Sequence, residues 1–126
     1  MTSQYYGQAA IKATNMQHNG EYNSPRAAWG KAVEVVFPDS PSSQDKGCPR
    51  CAYLGLCEDG LVKGVPRGNY TNSEDNKRYA VNAVSELRKN PNLTSEELWE
   101  RVAPKGKTEN SQMDVVLALW KNNLIV

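Results

Sequence analysis

Histidine, cysteine and long apolar runs are scarce in this 126-residue sequence. A single histidine, His18, leaves no evident Ser, His and Asp set, so we expect no catalytic residues and a role that is more consistent with binding than with catalysis. The three cysteines lie between positions 48 and 57, without a second CxxC or a CxxH pair, so we expect no metal and no cofactor. An odd, clustered set of cysteines is also untypical of a secreted disulfide framework.

The chain also lacks an excess of either sign of charge. The chain has 15 basic and 14 acidic residues, and neither the part before nor the part after Asn72 forms a basic arm. Nucleic acid is therefore a possible but not a favoured partner. No apolar run approaches the roughly 20 residues of a membrane span, and the start MTSQYYGQAA lacks the pattern of a signal peptide. We expect a cytoplasmic protein with no membrane partner.

Apolar residues at helical spacing predict a mainly α fold of about six helices in a single compact domain, residues 1–126. The predicted helices begin after Ser3, at Ser24-Pro25, at Cys48-Pro49, at Ser73 or Thr71, at Thr94 and before Met113. The stretches LVKGV and NYT, separated by PRG, predict a short β-hairpin or strand pair. The loop PDSPSSQDKG has turn chemistry and no apolar anchor, so we expect it to be mobile.

An internal repeat of residues 1–65 and 74–126 is indicated by three matches in the same order. YLGLCEDGLV, Tyr53 to Val62, aligns with VLALWKNNLI, Val116 to Ile125, and the surroundings of Trp29 resemble those of Trp99. Tyr6 with its following alanines likewise resembles Tyr79. The alternative is that amphipathic helices match by chance, because apolar periodicity alone produces some agreement.

The C-terminal half loosely resembles a winged helix-turn-helix, and the fold is possibly two winged-helix-like repeats packed as one unit. In a DNA-binding version, the helix starting near Asn110 would approach base edges while nearby lysines met phosphates. Glu109, Asp114 and the absence of a guanine-reading arginine argue against it. The candidates for this role are Lys105, Lys107, Asn110, Ser111 and Gln112.

Two features near the cysteines suggest a site. Cys48-Pro49-Arg50-Cys51 has the spacing of a redox dithiol at a helix N-terminus, although no strand precedes it as in a thioredoxin-like unit. The segment Gly60 to Asn76 combines glycines with cations before a helix start, an arrangement that can attract a small anion, although the glycines also suit turns. The candidate residues for a protein partner or small anionic ligand are Cys48, Arg50, Lys63, Arg67, Tyr70, Asn76 and Lys77.

The stretch CPRCAYLGLCEDGLVKGVPRGNYT, Cys48 to Thr71, resembles bacterial proteins grouped as a domain of unknown function. The resemblance continues to about Leu87 and implies a bacterial or phage source and a small stand-alone domain, but no activity. We therefore expect a non-enzymatic binding or regulatory module of unknown partner. Thiol-based redox activity at Cys48 and winged-helix-like DNA binding are the alternatives.

Overall fold

The computed structural model describes residues 4–126, and these residues form a mainly helical fold, as predicted. Six helices have two turns or more, and a one-turn helix, α3, lies in the loop that was expected to be mobile. The helices are α1 Tyr5–His18, α2 Pro25–Val36, α3 Pro41–Gln44, α4 Gly47–Glu58, α5 Glu74–Lys89, α6 Ser95–Val102 and α7 Gln112–Lys121. None of the helices between residues 4 and 126 has the length and apolar content that crossing a membrane requires.

Polar side chains set several helix starts where the sequence predicts them. Ser24 and Ser73 accept backbone N–H groups of α2 and α5, which satisfies donors that a helix start leaves unpaired. Thr94 and Glu97 form a capping box at α6, with reciprocal bonds of 2.9 and 3.1 Å between side chain and backbone. Gly60 follows α4 with φ +73°, a conformation that glycine adopts without strain.

The core lies where the apolar faces of the longer helices meet. Helix α1 packs on α2 and α7, α5 packs on α4 and α6, and α7 also contacts α4. Trp29 stacks on Tyr53 with ring centroids 5.3 Å apart, and Tyr79 meets Trp99 edge to face at 5.2 Å. Leu56 and Leu119, which the repeat alignment pairs, are fully buried in this core.

The loop between α2 and α4 is anchored to the helices beside it. Ser40 caps α3 by accepting the N–H of Ser43, and the Tyr6 hydroxyl donates to the carbonyl of Ser43 at 2.8 Å. Gln44 donates to the carbonyl of Phe37 at 2.7 Å. The ring of Phe37, which starts the segment, also packs on Tyr6 with ring centroids 4.8 Å apart. Helix α3 itself has no buried residue, which is why hydrophobic patterning did not indicate it.

The predicted β-hairpin is wrong: no strand or sheet forms within residues 4–126. A single antiparallel bridge instead pairs Val62 with Ile125, and the N–H groups of Lys63 and Val126 each donate 2.8 Å bonds across it. The partner expected for Val62 was the segment around Tyr70, but the Tyr70 N–H donates to the Glu58 carboxylate. The ladder donors of that segment are therefore used elsewhere.

Candidate functional site

Glu58, at the end of α4, organises much of the loop that the sequence suggested as a binding site. Its carboxylate accepts the N–H groups of Tyr70 and Thr71 at 2.8 and 3.2 Å. The Lys77 ammonium of α5 lies 2.7 Å from Glu58 and 2.9 Å from Asp59. These partners, Lys77 first, lower the pKa of Glu58 to about 2, and the two carboxylates raise the pKa of Lys77. Lys77 and the Tyr70 backbone, both at predicted binding positions, thus connect α5 and the loop to the end of α4.

Two side chains from α1 and α2 bind the backbone of this loop, whose own Lys63 is half-buried. His18 Nε2 donates to the carbonyl of Lys63, and Arg26 Nε donates to the carbonyl of Tyr70 at 2.8 Å. Arg67 is exposed and lies over Gly60. The Tyr70 hydroxyl donates back to the carbonyl of Pro66 at 2.7 Å. These contacts attach the backbone of the loop to α1 and α2 and leave Arg67 on the surface.

The three cysteines have two different environments. Cys57 is fully buried, and burial raises the pKa of its thiol to about 12, so this side chain behaves as a core residue. Cys48 and Cys51 are half-buried, free thiols in the first turns of α4. Arg50, between them, donates to the carbonyl of Asp45 at 3.3 Å. Within residues 4–126, no group of three potential metal-binding side chains converges.

The residues considered for DNA binding do not form one accessible surface. Gln112 is fully buried: its amide donates to Asn76 at 2.9 Å and its carbonyl accepts the Asn110 N–H at 2.6 Å. Asn110 and Ser111 are half-buried, whereas Lys105 and Lys107 are exposed in the preceding loop. Asn76, predicted as a ligand-binding residue, is thus a structural partner of Gln112. At the start of α7, the side chain of Gln112, which would read a base edge, is therefore buried inside the protein.

A groove of about 640 Å³ runs between α1 and α7, and the sequence did not indicate it. Its floor contains the apolar side chains of Ile11, Leu117 and Ala118, and its polar lining includes Gln8 and Lys121. The two helices come close because Gly7 has no side chain: a Cβ there would lie 2.7 Å from the Cβ of Ala118. Such a mixed apolar and polar concavity is typical of a binding site.

Asp114 projects from α7 into this groove and also serves the start of α1. Its Oδ2 accepts the N–H of Gly7 at 3.0 Å, which satisfies a donor at a helix start that has no side-chain cap of its own. Burial, with a smaller contribution from Glu109, raises the pKa of Asp114 despite this hydrogen bond. A half-buried carboxylate with a raised pKa in a groove is a candidate for ligand recognition.

A second depression, of about 690 Å³, lies against the first turns of α6 and shares Ser95 and Glu109 with the groove. We call the two together the α1–α6–α7 surface. The side chains that give this second depression its character are acidic or aromatic: Glu96, Glu97, Glu100 and Trp99. Within the described chain, none of these carboxylates forms an ion pair.

Two sequence signals could have identified the groove. The first is Asp114, a charged residue in the largely apolar α7, which we interpreted from the sequence only as evidence against DNA binding. Gly7 lies between Tyr6 and the alanines of α1, in a stripe whose small residues permit close helix approach. Joining the two requires that α1 and α7 are neighbours, although their residues are 107 positions apart in the chain.

The family of the chain follows from a comparison with family models. Residues 2–126 match the model described as a family of unknown function, DUF6979, and the chain belongs to this family. No curated protein and no solved structure matches the chain. The predicted membership of a domain family of unknown function is thereby confirmed, and it now covers nearly the whole chain.

Proposed function

We propose that this protein is a non-enzymatic binding module whose partner occupies the groove between α1 and α7. The observation that carries the proposal is Asp114, a half-buried carboxylate with a raised pKa beside an apolar floor. Groups of this kind are costly to the folded state and are concentrated at functional sites. The loop from Lys63 to Asn76, suggested by the sequence, supports the proposal less well, because Glu58 already binds its backbone and Lys77.

The groove suits a macromolecular partner better than a catalytic reaction. Its floor is apolar and its lining is polar. The two carboxylates of the lining, Glu109 and Asp114, accept backbone N–H groups of Met113 and Gly7 rather than a serine hydroxyl that they could activate. The site is open along its length rather than closed over a small molecule, as the shared residues Ser95 and Glu109 connect it to the depression at α6.

Site-specific cross-linking tests this function. A photoreactive amino acid replaces exposed Gln8 in the groove, and the control carries it at exposed Lys31 on α2, outside the groove. In cells that express the protein natively, we expect Gln8 to yield a defined cross-linked partner that the control does not yield. The same cross-link is lost when Leu117 is replaced by aspartate, with circular dichroism confirming that the variant folds. Equal products from both positions, or a product insensitive to Leu117→Asp, contradict the proposal.

Thiol redox activity at Cys48 is a second candidate, supported by two half-buried free thiols with CxxC spacing at the start of α4. Its test is the pH dependence of alkylation: an apparent pKa of Cys48 well below about 8.5 would support it, and an ordinary value would dismiss it. For DNA binding, burial of Gln112 removes a side chain that the proposal needs. Flow-through from heparin at low salt would exclude that role.

The internal repeat and the two winged-helix-like halves are also proposals. The bridge supports them, since it joins Val62 to Ile125, the positions that the alignment pairs. The packing of α1 on α2 and α7 likewise corresponds to that of α5 on α6 and α4. Superposition of residues 4–65 on 74–126 tests the repeat: matching helix crossing angles support it, and different angles contradict it. A cytoplasmic location and a bacterial source stay predictions.

A further inference from the structure

The α1–α6–α7 surface concentrates negative charge in a protein that is almost neutral. Its lining contains five carboxylates and one ammonium, a formal charge of −4, whereas the whole chain has a formal charge of +1. The rest of the protein therefore has a charge of +5. This segregation creates a local field that attracts cations and repels anionic partners. The charged side chains are Glu96, Glu97, Glu100, Glu109, Asp114 and Lys121.

The arrangement of the carboxylates does not suit a single metal ion. Three of them already accept a backbone N–H: Glu97 from Thr94, Glu109 from Met113 and Asp114 from Gly7. These bonds fix the three carboxylates on separate elements, α6, the loop before α7, and α7. Among residues 4–126, no three potential ligands converge on one point. The carboxylates therefore match several cations distributed along an extended partner.

The apolar floor of the groove favours a protein segment over a small polyamine as the partner. Ile11, Leu117 and Ala118 line the groove beside Asp114, and Trp99 lines the adjoining depression. A polyamine has no branched apolar group for this floor, whereas a peptide can place leucine or isoleucine there between its basic residues. Charge complementarity then sets orientation and association rate, and apolar burial supplies affinity.

We propose that the α1–α6–α7 surface binds a basic segment of a partner protein, with apolar residues on Leu117 and cations along Asp114, Glu109 and the α6 carboxylates. This inference rests on the proposed function, because it names the chemistry of the partner for the same groove. It adds the depression at α6 as the second half of the site.

Fluorescence anisotropy with two labelled peptides tests the proposal. One peptide alternates leucine with arginine, and its match has glutamate in place of each arginine. The protein variant is Glu96→Gln with Glu100→Gln, and the control is Glu21→Gln with Glu34→Gln, which removes the same charge from exposed positions outside the surface. We expect the basic peptide alone to bind, with affinity lost roughly five- to tenfold in the α6 variant and less than about twofold in the control.

The results that would contradict the basic-segment inference differ from those that would contradict the proposed function of the groove. Equal losses in variant and control, or tighter binding of a polyamine than of the basic peptide, overturn the basic-segment proposal. Absence of basic-peptide binding at low salt overturns it as well. If the Gln8 cross-link captures a partner through an acidic or neutral segment, the groove function stands and this inference fails. If Gln8 captures nothing beyond the Lys31 control while the basic peptide binds as expected, the native role of the groove fails.

Discussion

Replacing Glu58 with glutamine removes the charge that connects α4 to the following loop and to α5. The ionised carboxylate lies 2.7 Å from Lys77, and the two side chains are 12% and 21% exposed. Its pKa is lowered from 4.5 to about 2, and each pKa unit corresponds to about 1.4 kcal/mol. We therefore expect the variant to lose about 3 kcal/mol of unfolding free energy at pH 7, measured by urea denaturation.

The pH dependence of this loss follows from the direction of the pKa change. A lowered pKa stabilises the folded state above the unfolded value, near 4.5, and the stabilisation is lost as pH falls toward about 2. At pH 3, we expect the difference in unfolding free energy between wild type and Glu58→Gln to be roughly half of its value at pH 7 or less.

Glu86→Gln is the matched control, because Glu86 pairs at 3.2 Å with Arg101, which is 50% exposed. Such a pair contributes at most about 1 kcal/mol. Equal losses in the two variants at pH 7, or a Glu58→Gln loss that is unchanged at pH 3, would refute the role assigned to Glu58.

Three further predictions concern packing, the groove and the cysteines. Gly55→Ala should destabilise the protein by about 1–2 kcal/mol in urea denaturation, because the new Cβ would lie 2.7 Å from the Cα of Lys77. Exposed Gly30→Ala in α2 should instead stabilise it by about 1 kcal/mol. A change of the same sign in both variants would contradict this prediction. Asp114→Asn should stabilise the protein at pH 7, because a raised pKa favours the protonated carboxyl in the folded state, and the gain should vanish below about pH 4; urea denaturation at both pH values decides, and a gain that persists in acid contradicts it. Iodoacetamide should spare Cys57 in the native protein, whose thiol pKa is about 12, and modify the two half-buried thiols of α4, as mass spectrometry of digested peptides will show; native labelling of Cys57 contradicts its buried role.

Much of the helical fold could be predicted from local sequence signals. The caps at Ser24, Ser73 and Thr94 act on donors within the next three residues, so the sequence contains both partners of each interaction. Helix α3 has a similar local start signal, Ser40 followed by Pro41, but its single turn has no buried residue to give an apolar pattern. Its position depends on Tyr6, which is 37 positions away from Ser43.

The candidate site depended on such distant contacts and was predicted poorly. The cations and glycines after α4 resembled an anion site, but the sequence does not reveal that the Glu58 carboxylate reaches Tyr70, 12 positions away. Pairing Val62 with Ile125 rather than with its neighbours is likewise a tertiary preference. The groove itself arises where Gly7 allows α1 to approach α7, and periodicity says nothing about which helices are neighbours.

The amide of Gly7 offers the most direct test of the groove as the binding site, since it donates to Asp114. In a titration of ¹⁵N-labelled protein with the basic peptide, the account predicts chemical-shift changes at Gly7, Ala118 and Lys121, with the amides from Lys63 to Asn76 unchanged. Changes confined to the Lys63–Asn76 loop, with Gly7 unaffected, would contradict the central claim and return the site to the segment that the sequence first suggested.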